Sequence, residues 1–201
     1  MKWIAPVLVY LTVAVGLFLF DSAWGALIGF HVAIVVSLLI ARPAIPIKTL
    51  FSNHNFKWIP LSIVLCGSSG VTLYLLWNYF GFAANLPTQA QAPGLNGASW
   101  IPFIAYFALV NPWVEEYFWR GYLGSTTTSP AISDFLYSGF HGLILINKVQ
   151  TASIFFALAV LVLAGWFWRQ IARKDEGLLA PVLGHMAADL AILFVVYLQL
   201  S

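Results

Sequence analysis

Seven apolar runs divide this chain, each of about the length that carries a helix across a bilayer, and the breaks between them are short. They fall near 3–20, 24–41, 57–81, 98–123, 132–147, 151–170 and 178–199. In hydrocarbon every backbone N–H and C=O must be satisfied within the protein, so segments at that depth fold as helices or as closed barrels. Unbroken runs of this length suit helices. The expected fold is therefore all-α, a polytopic transmembrane helix bundle of about seven spans, forming a single membrane domain over residues 1–201. Charged residues make up only 8% of the chain, against roughly 25% in soluble domains. Lys2 precedes an apolar run longer than the core of a signal peptide, so that run is expected to be the first span.

Several classes drop out early. The net charge is +2, with no basic patch, so nucleic acid is not an expected partner. The single cysteine, Cys66, excludes an internal disulfide and a cysteine-rich metal site. The longest polar connection, Asn85 to Ala98, carries no charge and separates accessory spans (1–82) from a core (98–195) that holds most of the polar chemistry.

The basic residues indicate orientation. With the N-terminus in the cytoplasm, Lys2, Arg42, Lys48, Lys57, Arg169, Arg173 and Lys174 all fall on the cytoplasmic side, and only Lys148 falls outside. Seven of the nine tryptophans lie near expected span ends, where interfacial belts form. The two exceptions, Trp113 and Trp119, flank a pair of glutamates.

Those glutamates open the chemistry. Asn111-Pro112-Trp113-Val114-Glu115-Glu116-Tyr117-Phe118-Trp119-Arg120 places two carboxylates and a guanidinium inside an apolar run. Charges at such depth are costly, so they mark a functional site by default. His141 stands in the fifth run, and His185 and Asp189 in the seventh. At roughly 1.5 Å per residue, Glu115, His141 and His185 all lie roughly 10–15 Å below the cytoplasmic surface. Their helices run in opposing directions, so this shared depth is not a product of spacing. One site is the simplest account.

Helical angles suggest roles. Residues i and i+4 share a face, which pairs Glu116 with Arg120, His185 with Asp189 and Tyr137 with His141. Glu115 lies about 140° from Arg120 and is free to face the histidines. A carboxylate held away from water is a stronger base, suited to activating a water molecule. Other polar residues have simpler readings. His31 reads as a hydrogen-bonded core residue of the second span, His54 as a solvated loop residue, and Asp134 as a carboxylate at a helix N-terminus. Gly67 and Gly70 read as sites of close helix contact. Asn111-Pro112 reads either as a kink or as the cap of a broken helix beside Glu115.

These motifs resemble those of the CAAX-protease and bacteriocin-processing (CPBP, or Abi) family of intramembrane endopeptidases. That family carries Glu-Glu-x-x-x-Arg, Phe-x-x-x-His and His-x-x-x-Asn on separate helices. Here they stand as Glu115-Glu116-Tyr-Phe-Trp-Arg120, Tyr137-Ser-Gly-Phe-His141 and His185-Met-Ala-Ala-Asp189, over roughly residues 98–195. The resemblance implies hydrolysis of a peptide bond in a membrane-anchored protein or peptide, near the cytoplasmic face. By analogy Glu115 and His141 position and activate water, His185 with Asp189 stabilises the oxyanion or fixes the substrate carbonyl, and Glu116 and Arg120, with Tyr137, support them by holding the first motif helix in place. Asp189 departs from the family's Asn: an ionised Asp accepts but does not donate. It is expected either to be protonated or to orient His185 from behind. No cofactor is expected; Glu, His, His and Asp could ligate zinc, but no His-Glu-x-x-His pair is present. The expected location is a bacterial inner (cell) membrane, as a multi-pass protein. Two other classes fit the same residues, a non-catalytic immunity-type or binding membrane protein and a proton-coupled transporter.

Overall fold

A computed structural model of the protein describes residues 2–91 and 93–200, and these are helical apart from connections and one isolated β-bridge. Helix α1 (Ala5–Ala14) starts on Pro6 and runs into a π-helical turn, Val15–Leu19. Asp21, in the left-handed region (φ 44°), then turns the chain. Ser22 caps α2 (Ala23–Ala41) by accepting from the Gly25 N–H at 2.9 Å. Helix α3 (Trp58–Leu76) continues through a 3-10 turn to Tyr79, and short α4 (Leu86–Gln91) lies in the polar connection. The motif-bearing half comprises α5 (Trp100–Leu109), α6 (Asn111–Glu116), α7 (Ile132–Leu145), α8 (Thr151–Asp175) and α9 (Leu179–Leu200).

Among the described residues four helices are long and apolar enough to cross a membrane: Ala23–Ala41, Trp58–Tyr79, Thr151–Asp175 and Leu179–Leu200. Ala5–Leu19 is apolar but shorter. The expected runs 98–123 and 132–147 differ from single long helices for local reasons. Run 98–123 is divided at Val110, between α5 and α6, and then widens into a π-helical segment, Tyr117–Tyr122. Pro112 sits at the start of α6, where its missing N–H costs no hydrogen bond. Helix α7 stops early because Asn147 turns left-handed (φ 63°). The chain beyond it pairs backbone with residues 81–83: Ala83 N–H donates to Lys148 and Gln150 N–H to Gly81, both at 2.9 Å.

Small residues let α3 and α9 approach closely, as expected of Gly67 and Gly70. A Cβ on Gly70 would lie 2.6 Å from the Ala191 Cβ, whereas one on Gly67 would meet Ala187 at an ordinary 3.7 Å. On α9, a Cβ on Gly184 would fall on the Ser62 hydroxyl. Gly70→Ala should therefore cost about 1–3 kcal/mol by overpacking, and Gly67→Ala close to nothing. Thermal midpoints in detergent check this; equal midpoints for the two variants would contradict the packing described.

The main core joins Val9, Phe30 and Ile34 to Phe118, Trp119, Tyr137, Phe140 and Trp168. A second cluster, around Trp100, Phe103 and Ile104, packs on the C-terminal end of α9. The ionisable residues are lodged between these apolar groups.

Candidate active site

The glutamate pair sits at the end of α6, just before the π-helical segment. A π-bulge widens the local helix and recurs at functional sites. Here Phe118, Trp119 and Arg120 all remain buried within it. Glu115 and Glu116 are both buried, 2% and 0% exposed.

Glu116 makes the central contacts. Its Oε1 lies 3.2 Å from Arg120 Nη1, the i,i+4 pair expected from spacing, and 2.8 Å from His185 Nδ1 on α9. A carboxylate only accepts, so Nδ1 carries the hydrogen and donates it. His185 thereby turns Nε2 toward Asp189 Oδ1, 3.5 Å away on the same helix face. The group behind His185 is thus Glu116, and Asp189 stands at the opposite edge of the ring. This differs from the expectation that Asp189 would orient the imidazole from behind.

Aromatic rings complete the cage. Trp168 of α8 stacks on His185 with centroids 4.7 Å apart. The Arg120 guanidinium lies over Tyr137 at 3.9 Å and over Trp168 at 5.0 Å. Gly165 leaves room for it: a Cβ there would come within 3.3 Å of Arg120 Nη2 and 3.1 Å of the Tyr137 ring. Tyr137 also stands edge-on to both histidines, 5.2 Å from His141 and 6.0 Å from His185. Its ring is a spacer between them, which is consistent with Tyr in place of Phe.

His141 and Glu115 face the same region without touching each other. The Nδ1 of His141 donates to the Tyr137 carbonyl at 3.0 Å, so Nε2 is the free nitrogen. Glu115 Oε1 accepts from Asn111 Nδ2 at 2.8 Å, while Oε2 is buried without a partner. Among the described residues no hydrogen bond joins Glu115 to His141. Glu115 adjoins Glu116, which bonds His185, and the Tyr137 ring lies between His141 and His185. Asp189 Oδ2 is likewise buried and unpartnered. The structure therefore gathers Glu116, Arg120, Tyr137, His185 and Asp189 into direct contact and sets Glu115 and His141 beside them.

Several neighbours escaped the sequence reading. Asn111 does not cap α6; its side chain reaches Glu115, and the i,i+4 spacing was the available signal. His31 is buried and hydrogen-bonded, as expected, and its partners are Asn111 and Tyr106 at 3.0 Å each. Trp168, counted from the sequence among the interfacial tryptophans, is instead 2% exposed and stacked on His185. His54 is exposed but bonded, its Nδ1 2.6 Å from the Asp175 carbonyl oxygen.

Asp134 and Arg169 also exceed their expected parts. Asp134 accepts from the Ala131 N–H, as a helix-start carboxylate does, and also from Arg169 Nε and Nη2. Arg169 is buried, not a solvated basic residue, and donates to the carbonyls of Ser125, Thr127 and Ser129. It fastens the polar loop beside the site. Arg169→Lys keeps the charge but loses the fork geometry, at a cost of about 1–3 kcal/mol per unsatisfied buried group. Limited proteolysis at 125–129 should accelerate in that variant; an unchanged rate would contradict the clasp.

Residues 97–191 match the family model described as Rce1-like, type II CAAX prenyl endopeptidase. This segment resembles that family. No curated protein and no solved structure matches the chain. The Rce1-like match agrees with the CPBP resemblance and contains all three motifs. It leaves α1, α2 and α3 outside. The resemblance is to CAAX-type proteases at family level, and with the apolar helices it fits a membrane protein.

Proposed function

We propose that this protein is an intramembrane endopeptidase that hydrolyses a peptide bond of a membrane-anchored protein or peptide near the cytoplasmic face. The observation that carries the reading is the free, buried Glu115 Oε2, next in sequence to the Glu116 that holds His185, with the Nδ1 atoms of His141 and His185 already committed. A buried acceptor without a partner is costly, and a water between Oε2 and His141 Nε2 would satisfy both. Glu115 takes a proton from that water as its oxygen attacks the scissile carbonyl. His185, protonated at both nitrogens between Glu116 and Asp189, stabilises the oxyanion from its Nε2 edge. The proton then passes from Glu115 to the leaving amine, and the carbon–nitrogen bond breaks. Glu116 and Arg120 hold His185 rather than react.

The reading needs no metal or other cofactor, and Glu116 already occupies one His185 nitrogen. The topology that goes with it has about seven crossing or partly crossing segments in a bacterial inner membrane, with the N-terminus cytoplasmic. Lys2, Arg42, Lys48, Lys57, Arg173 and Lys174 support that orientation. Arg169 no longer counts, because Asp134 neutralises it. Lys2 lies 5.9 Å from the Tyr122 ring, which puts the start of α1 beside the end of the glutamate segment.

Loss of wild-type-dependent protein termini in Glu115→Gln tests the reading. A binding scaffold would tolerate that change, and a transporter would reveal itself by proton flux in liposomes with no new termini.

A further inference from the structure

Glu115 is positioned by a chain of side chains that begins outside the family-matched segment. Asn111, 1% exposed, donates from Nδ2 to Glu115 Oε1 at 2.8 Å. Its Oδ1 faces His31 Nε2 at 3.0 Å, and His31 Nδ1 faces the Tyr106 hydroxyl at 3.0 Å. Three helices meet in this string: α2 brings His31, α5 brings Tyr106, and α6 brings Asn111 and Glu115.

The atoms leave little freedom. An ionised carboxylate only accepts, so the amide nitrogen of Asn111 must face Glu115. Its oxygen then faces His31, which requires a hydrogen on Nε2. In a neutral imidazole Nδ1 is then the acceptor, and the Tyr106 O–H donates to it. Flipping the Asn111 amide would set its oxygen against the carboxylate and its NH2 against a donor. A side chain at position 31 without a donor would leave the buried Asn111 oxygen without its partner, and the amide could shift away from Glu115.

We propose that His31 is a positioning residue for the catalytic base. Backed by Tyr106, it fixes the orientation of Asn111, which ties down Glu115 Oε1 and leaves Oε2 to accept the proton from water. The inference rests on the reading of Glu115 as that base. It also gives α2, within the 1–82 segment, a part in the chemistry.

The test uses the full chain in bilayers and compares wild type, Glu115→Gln, His31→Leu and His31→Gln. The Gln amide nitrogen can replace the Nε2 donor, and Leu has none. The infrared carboxyl signal of Glu115 is the band lost in Glu115→Gln. It should shift in His31→Leu and return in His31→Gln. In cells, the rate at which Glu115-dependent termini appear should fall roughly 10- to 100-fold in His31→Leu, the scale set by misplacing a reacting group. In His31→Gln it should recover to within a few-fold. An unmoved Glu115 band in folded His31→Leu would overturn the proposal. So would activity losses that follow thermal stability equally in both variants, since that is what a purely packing role predicts. Termini that persist in Glu115→Gln would instead overturn the base assignment, which the infrared arm reads separately.

Discussion

Glu115→Gln should leave a folded, inserted protein whose cleavage is lost. The substitution keeps the shape and keeps an oxygen that can accept the 2.8 Å bond from Asn111 Nδ2. It adds no buried charge, so the thermal midpoint should stay near that of wild type. What disappears is the basic oxygen facing the histidines. A positioned general base contributes typically 10²–10⁴-fold, and when it also generates the nucleophile the residual rate should be undetectable. Rate and midpoint must be measured together. A normal midpoint with an unmeasurable rate is the expected pair of results; loss of both would make Glu115 a structural residue.

Glu116→Gln should behave differently and damage yield as well as rate. Glu116 Oε1 neutralises Arg120 at 3.2 Å and accepts from His185 at 2.8 Å, with all three side chains buried. Removing one partner of a buried pair costs about 3–5 kcal/mol, because the other charge is left uncompensated. Total stability is only about 5–15 kcal/mol, so accumulation should fall sharply. A second substitution separates the two effects. Glu116→Gln/Arg120→Leu removes the stranded charge and should recover much of the yield. Activity should not return, because His185 still lacks the carboxylate that fixes its Nδ1 hydrogen. Recovery of both would show that Glu116 serves folding alone.

The parts legible in the sequence are those governed by a single helix. The Glu116–Arg120 and His185–Asp189 pairs follow from i,i+4 spacing, and both are present at 3.2 and 3.5 Å. Close packing at Gly70 follows from the small residue alone. Contacts between helices were not legible, because periodicity fixes a face but not the neighbour it meets. That is why Glu116 proved to hold His185, and why Asp189 proved to lie at the far edge of the ring. It is also why the partners of His31 and Arg169, namely Asn111 and Asp134, were not legible. Run length misled for a further reason. Apolar character continues through 98–123, but Asn111-Pro112 and the π-helical widening divide the helix there.

The central claim is that Glu115 drives proteolysis, and its most direct test needs no known substrate. Protein termini in the membrane fraction would be compared across cells with wild type, with Glu115→Gln and with no gene, at matched protein levels. Termini present with wild type and missing from the other two are the predicted result, and they would name the substrate. Identical termini in all three, with both proteins well expressed, would contradict the account.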